Sequence, residues 1–177
     1  MSTLSARPAP GDHDPYYAMY VRRVPAGDLG ELLERQVGEL EAACARHPGD
    51  AAEHRYAPGK WSVREVIQHV NDTERVFGYR LLRFARRDAT PLEGFDQDLF
   101  VANGRTDRRG LDELVREFRH LRLANTSLAR ALDADALAWR GRMWDKTLTT
   151  LALVTLLHGH AGHHLAVLEE RYRPVIG

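Results

Sequence analysis

A chain of 177 residues with 44% hydrophobic and 28% charged content is long enough for one domain with a real core and short for two. Its 25 basic residues balance its 25 acidic ones, so nothing in the composition asks for an acidic partner. Two arginine runs, Arg83, Arg86 and Arg87, then Arg105, Arg108 and Arg109, lack the interleaved aromatics of a nucleic-acid groove and read as solvated faces.

The first residues, MSTLSARPAPGDHDP, have no apolar signal-peptide centre, and no stretch reaches the roughly 18 apolar residues of a membrane span. A cytoplasmic protein without membrane or nucleic-acid partners is expected. Residues 1–26 carry Pro8, Pro10, Pro15 and Pro25 and read as an extended arm, with Tyr16, Tyr17 and Tyr20 able to pin its later part to the body. The remainder, 27–177, reads as one domain.

A first helix is expected from about Asp28, with Leu29, Leu32, Leu33, Val37, Leu40 and Cys44 at helical spacing and His47-Pro48-Gly49 as its stop. Cys44 is the only cysteine, which excludes an internal disulfide and a thiolate metal cage; its neighbours place it in the core. Ser62 and Glu65 then form a capping box that opens a second helix to about Arg86. Its apolar face runs Val63, Val66, Val70, Thr73, Phe77, Leu81 and Phe84, and His69 lies at the edge of that face.

Residues 88–109 keep no sustained period and read as a long crossover loop, with a turn of helix near Asp96 to Val101. A third helix follows over about Leu111 to Leu132, then a short turn from Asp133 to Trp139 and a polar loop containing Trp144. Thr147 or Thr149 can cap the last helix, which ends before Pro174. No strand pattern and no internal repeat is evident. Four amphipathic helices with one long connection predict an all-α four-helix bundle, an architecture that builds metal sites from inward side chains.

The last helix holds four histidines in HGHAGHH, residues 158–164. At about 100° per residue, His160 and His164 stack one turn and about 40° apart, within roughly 80° of Leu153, Leu156, Leu157, Val167 and Leu168. A buried imidazole pair there needs partners. His158 points to nearly the opposite side and His163 to the stripe's edge, so both read as bystanders. His69, His160 and His164 could supply three nitrogens to one open metal site, which suits zinc, nickel, iron or copper; core histidines satisfied by neighbouring acceptors are the alternative.

GKWSVREVIQHVNDTERVFGYRLLRFARRD, TPLEGFDQDLF and HGHAGHHLAVLEERY together resemble the DinB-like superfamily of bacterial small-thiol transferases and metalloenzymes, and most closely its second family, over about residues 28–173. The resemblance implies a four-helix bundle with one divalent metal held at positions matching His69, His160 and His164. It places an acidic residue at Asp72, which, like Glu65, could orient the His69 ring through its other nitrogen; capping is the favoured role for Glu65. The implied activity is metal-dependent activation of a low-molecular-weight thiol cosubstrate on a small-molecule substrate. Metal-dependent hydrolysis, with Asp72 or Glu74 as candidate general bases, and a non-catalytic metal-binding or stress-related role are the alternatives. Relatives also imply a homodimer, to which Tyr16–Tyr20 could contribute.

Overall fold

The computed structural model describes residues 3–172, and the helix stop expected at Pro174 lies outside them. Four long helices form the body: α2 (Leu29–Cys44), α3 (Val63–Ala85), α5 (Leu111–Arg130) and α7 (Thr150–Arg171), after a single-turn α1 (Ala18–Val21). Shorter α4 (Gln97–Asn103) and α6 (Ala134–Ala138) lie in the connections. Both α2 and α3 pack on α5 and on α7, so α2 and α3 stand across the diagonal of the bundle. Of the consecutive long helices, α3 and α5 are neighbours, joined by the crossover through α4, whereas α2 and α3, like α5 and α7, are diagonal.

The starts of these helices are set by local hydrogen bonds to otherwise orphaned backbone N–H groups. Asp28 accepts from the Glu31 N–H, Thr149 from Ala152, and Asp133 from Ala136. At α3 the expected capping box is complete: Ser62 Oγ accepts from the Glu65 N–H at 3.2 Å, and Glu65 accepts from the Ser62 N–H at 2.7 Å. Arg55 closes on the same carboxylate with both of its terminal nitrogens, at 2.5 and 2.9 Å.

The core is divided into two apolar halves. One gathers Leu33, Phe77, Leu81, Phe84, Leu153 and Leu157. The other gathers Val37, Val70, Leu114, Phe118, Ala161 and Leu168. Between them each long helix contributes a buried polar residue: Gln36 from α2, Glu74 from α3, Arg122 from α5 and His158 from α7. Cys44 is buried as expected, and burial pushes its thiol up to about 12. The helix α7 has the length and apolar composition of a membrane span, although no uninterrupted apolar run was evident in it; here it packs on α1, α2, α3 and α6.

Two regions differ from the sequence expectation. The polar loop around Trp144 is an antiparallel hairpin, β1 (Arg140–Met143) paired with β2 (Lys146–Thr149), with Gly141 opposite Leu148. A four-residue strand is too short to show a period, and its turn depends on Trp144 taking a left-handed φ of 57°, which that residue type seldom adopts. Gly141 is required by the packing, because a Cβ there would lie 2.1 Å from the Phe84 ring. The crossover is stitched to this hairpin: Leu92 N–H donates to Arg142 O at 3.0 Å and Trp144 N–H to Leu92 O at 2.6 Å.

The proline-rich N-terminal segment is the second difference. Instead of an extended arm it forms short 3-10 turns at Thr3–Ser5, Pro10–Asp12 and Pro15–Tyr17 and then α1. Proline's fixed φ starts two of these turns, and Asp14 accepts from the Tyr16 N–H to cap the third. Leu4 and Tyr17 are buried, and Thr3 Oγ1 donates to Leu132 O. Gly159 permits the closest approach: a Cβ there would stand 2.4 Å from the Tyr20 carbonyl oxygen. The segment is thus seated on α7, with Tyr16 and Met19 left exposed.

Candidate metal centre

His69 comes from the first half of α3, and His160 and His164 from the middle of α7. The two helices are in contact, and each presents these rings to the other. The Nε2 atoms of His69 and His160 lie 3.1 Å apart, and those of His160 and His164 3.2 Å apart. One nitrogen from each of the three residues falls within 4.8 Å of the others. The expected trio is therefore brought together, ninety-one positions apart in the chain.

The donor set fits a cation. Two nitrogens each about 2.1 Å from one ion sit about 3.0 Å apart at a right angle and about 3.4 Å apart at a tetrahedral angle; the two observed separations fall between these limits. Burial lowers the affinity of all three rings for protons, and the neighbouring histidines lower it further, to about 4 for His69 and well below the ordinary value for His160 and His164. Neutral imidazole is the metal-binding form. Without an ion, a ring N–H must stand at each of the two short contacts, with donor and acceptor set by the tautomers; one ion would meet all three lone pairs at once.

The ring orientations come from packing rather than from a carboxylate. Trp61 lies against His69 with ring centroids 4.8 Å apart, and the buried His69 Nδ1 has no hydrogen-bond partner among the described residues. Neither expected orienter reaches it. Glu65 is occupied by the Ser62 N–H and by Arg55, and Asp72 accepts from Gln68 Nε2 at 2.9 Å. Asp72 lies at the α3–α5 side near Arg75, Arg109 and Glu117, where burial raises its pKa.

Glu74, the other candidate base, is committed elsewhere. Arg122 donates to both its oxygens at 2.9 Å, and Asn125 donates to Oε1 at 3.0 Å. It lies five residues from His69, about 140° around the helix, and faces α5. Arg122 also donates to Gln36 and to the Leu157 carbonyl. The whole group is a closed structural network.

His163 meets the expectation of an edge position, whereas the expected bystander His158 lies in the buried polar layer. His163 lies at the edge, half-buried, with its ring 5.0 Å from that of His164 and 5.5 Å from that of Tyr20. His158 is buried, not turned to solvent; burial first, and then the charge of Arg122, lowers its pKa to about 4. The side of α7 opposite His160 is covered by the polar layer, so "opposite" on this helix still means inside.

A cavity of about 500 Å³ opens on the face of the trio formed by His69 and His160. Its floor is a single strip of α3: His69, Thr73, Phe77 and Arg80, spaced four, four and three residues. Three separate segments build its walls, namely Tyr17 and Tyr20 from the N-terminal segment, Phe95 and Asp96 from the crossover, and Met143 and Trp144 from the hairpin. Tyr20 stands with its ring centroid 5.7 Å from that of His160. The sequence signal for Arg80 was present, since eleven residues return a helix to within about 20° of His69. No sequence signal locates the walls, which converge only through tertiary packing.

The family model of the DinB superfamily matches residues 32–168. Among solved structures, YfiT from Bacillus subtilis is similar in fold, with a TM-score of 0.75 at 20% identity over 82% of this chain and 84% of that one. YfiT is described as a probable metal-dependent hydrolase with an unusual four-helix bundle topology. Comparison with curated proteins finds no match.

Proposed function

The chain belongs to the DinB superfamily, and we propose that within it this protein is a metal-dependent enzyme that activates a low-molecular-weight thiol for transfer to a small electrophilic substrate. The observation that carries this reading is the convergence of three neutral histidine nitrogens beside a cavity, with both nearby acidic candidates already occupied. His69, His160 and His164 would hold one divalent transition ion such as zinc, nickel or iron. Such an ion would supply the positive charge that keeps a thiolate deprotonated at neutral pH.

The chain's own residues do the rest. Burial keeps the three imidazoles unprotonated, so proton competition for their lone pairs is weak at neutral pH. Tyr17, Tyr20, Phe95 and Trp144 enclose a volume suited to a small molecule and limit water beside the reacting atoms. Attack by water would need a proton acceptor as well, and Glu74 is closed to that role by Arg122. A thiol needs less help, because its proton is already far more acidic than that of water.

Metal-dependent hydrolysis is the second reading, favoured by the similarity to YfiT. Protein loaded with zinc, nickel or iron and supplied with bacillithiol, mycothiol or glutathione plus an aryl or alkyl electrophile should form the thioether, and chelation should abolish turnover. Ester or amide cleavage without any thiol, at rates that the thiols leave unchanged, would instead establish hydrolysis. If His160→Ala leaves every rate unchanged, the centre is not catalytic.

A further inference from the structure

Arg80 is buried with only 5% of its surface exposed, yet it forms no ion pair with any described carboxylate. Its Nη2 donates to the Glu93 carbonyl, and no described group accepts from Nε or Nη1. The guanidinium lies 6.0 Å from the Phe77 ring centroid and forms part of the lining of the cavity that His69 and His160 enter. An arginine cannot shed its charge to suit such a place, and a buried cation without a counterion is costly. Arg122, equally enclosed, has its carboxylate in Glu74; Arg80 has none.

The remaining charges around the cavity leave that position open to an anion. Asp96 is the acidic residue of the lining, and its Oδ1 accepts from the Asp98 and Leu99 N–H groups at the start of α4. Lys146 stands at the rim, 5.1 Å from the Trp144 ring centroid and 5.3 Å from that of Tyr16, but it is paired with Asp145 at 2.8 Å, so Arg80 is the cation without a described carboxylate there. Arg80 and His69 mark opposite ends of one strip of α3. Eleven residues rise about 16 Å along the axis, and the arginine side chain leans back over Phe77, so roughly 10 Å separates the two groups.

We propose that Arg80 anchors an oxyanion of the ligand at the end of the cavity away from the histidines, which makes that ligand an elongated small molecule with an anionic group roughly 10 Å from its reacting end. The placement of the reacting end rests on the metal-dependent reading above; the anion anchor does not. Carboxylate and phosphate share the required chemistry, since both offer charged acceptors to a guanidinium.

Calorimetry on the metal-free protein tests the anchor directly, with octanoate, octyl phosphate and methyl octanoate as probes. At least one anion should bind roughly 10- to 100-fold more tightly than the neutral ester, the range expected of a charge-assisted contact in a buried site. Arg80→Met should lower anion affinity to that of the ester without changing ester binding, and Arg80→Lys should keep part of the preference. A merely structural Arg80, tethering Glu93, would shift all three ligands together. Whichever anion binds more tightly identifies the oxyanion.

Equal binding of acid, phosphate and ester to the wild-type protein, absence of binding by both anions, or a preference that survives Arg80→Met would overturn the anchor. Cobalt-loaded protein with 8-mercaptooctanoate then separates the two readings. A thiolate-to-cobalt absorption band, with acid preferred over methyl ester, supports both ends. An anion preference in the metal-free protein without that band retains the anchor and removes the thiol-activating reading.

Discussion

Two buried polar clusters share α3 and α7, and they are built on opposite terms. In the layer between the two apolar halves, Arg122, Glu74, Gln36 and Asn125 interlock, and the Glu74 oxygens are filled from two sides. At the cavity, His69, His160 and His164 point nitrogens at one another with no carboxylate among them, and His69 Nδ1 has no partner among the described residues. The first arrangement resolves its own desolvation cost; the second leaves it for something outside the chain to resolve. Burial alone does not separate the two clusters; the partners of Arg122 and Glu74 do, while His158 in the same layer keeps both ring nitrogens without a partner among the described residues.

The largest effect should come from breaking the closed cluster. Arg122→Met leaves Glu74 as an unpaired buried charge and should cost about 3–5 kcal/mol of folding free energy in urea titration. Adding Glu74→Gln to that variant should recover part of the loss, and a double variant less stable than Arg122→Met alone would contradict the pairing. The open cluster should respond in reverse. His160→Ala should change metal-free stability by no more than about 1 kcal/mol while lowering zinc affinity by more than the roughly 100-fold of an outer partner. Zinc at about 100 times its dissociation constant should stabilise the wild-type protein by about 2.7 kcal/mol and leave His160→Ala unmoved, as followed by thermal melting.

The seat of the N-terminal segment bears on the open cluster only. Gly159→Ala sets a methyl group against the Tyr20 carbonyl and should cost about 1–3 kcal/mol. Limited proteolysis should then cut within residues 3–26 first, and metal binding should persist because the trio lies on α3 and α7. Simultaneous loss of the long helices by circular dichroism would show that the segment is integral to the bundle.

The smallest effect belongs to the α3 cap. Burial pushes the Glu65 pKa up, but Arg55 and the Ser62 N–H outweigh it, so the folded value lies below the ordinary 4.5. A depressed carboxylate contributes stability that is present above its unfolded pKa and lost as pH falls through the folded one. Glu65→Gln should therefore cost about 1 kcal/mol at neutral pH and nearly nothing once the medium is acid enough to protonate Glu65 in both states. Stability measured by denaturant at a series of pH values should show the two proteins converging on the acid side.

Helix existence was legible because α2, α3 and α5 carry sustained 3.6-residue periods and α2, α3 and α7 open on polar caps, and Ser62 with Glu65 marked a start to the residue. The histidine trio was legible in part: His160 and His164, four apart, share a face by geometry alone, and His69 at the edge of its own helix face was a candidate third nitrogen that the resemblance to a family then matched. His158 was read as a bystander on the side opposite His160, and a helical wheel does not show that this side of α7 is enclosed as well. Asp72 and Glu74 could be named as acids near the site, but their hydrogen-bond partners belong to other turns and other helices.

What the amino-acid order determined by itself is local: periodicity, caps, the stacking of His160 on His164, and the return of Arg80 to the face of His69 after eleven residues. These follow from covalent geometry and a fixed pitch. Tertiary structure alone decided which polar residues find partners and which do not. Glu74 meets Arg122, forty-eight positions away, whereas Arg80 meets no described carboxylate and shares its cavity with tyrosines from the N-terminal segment and a tryptophan from the hairpin. Electrostatic satisfaction depends on distances between elements remote in sequence, so the line between a structural charge and a binding one is drawn only when the chain folds.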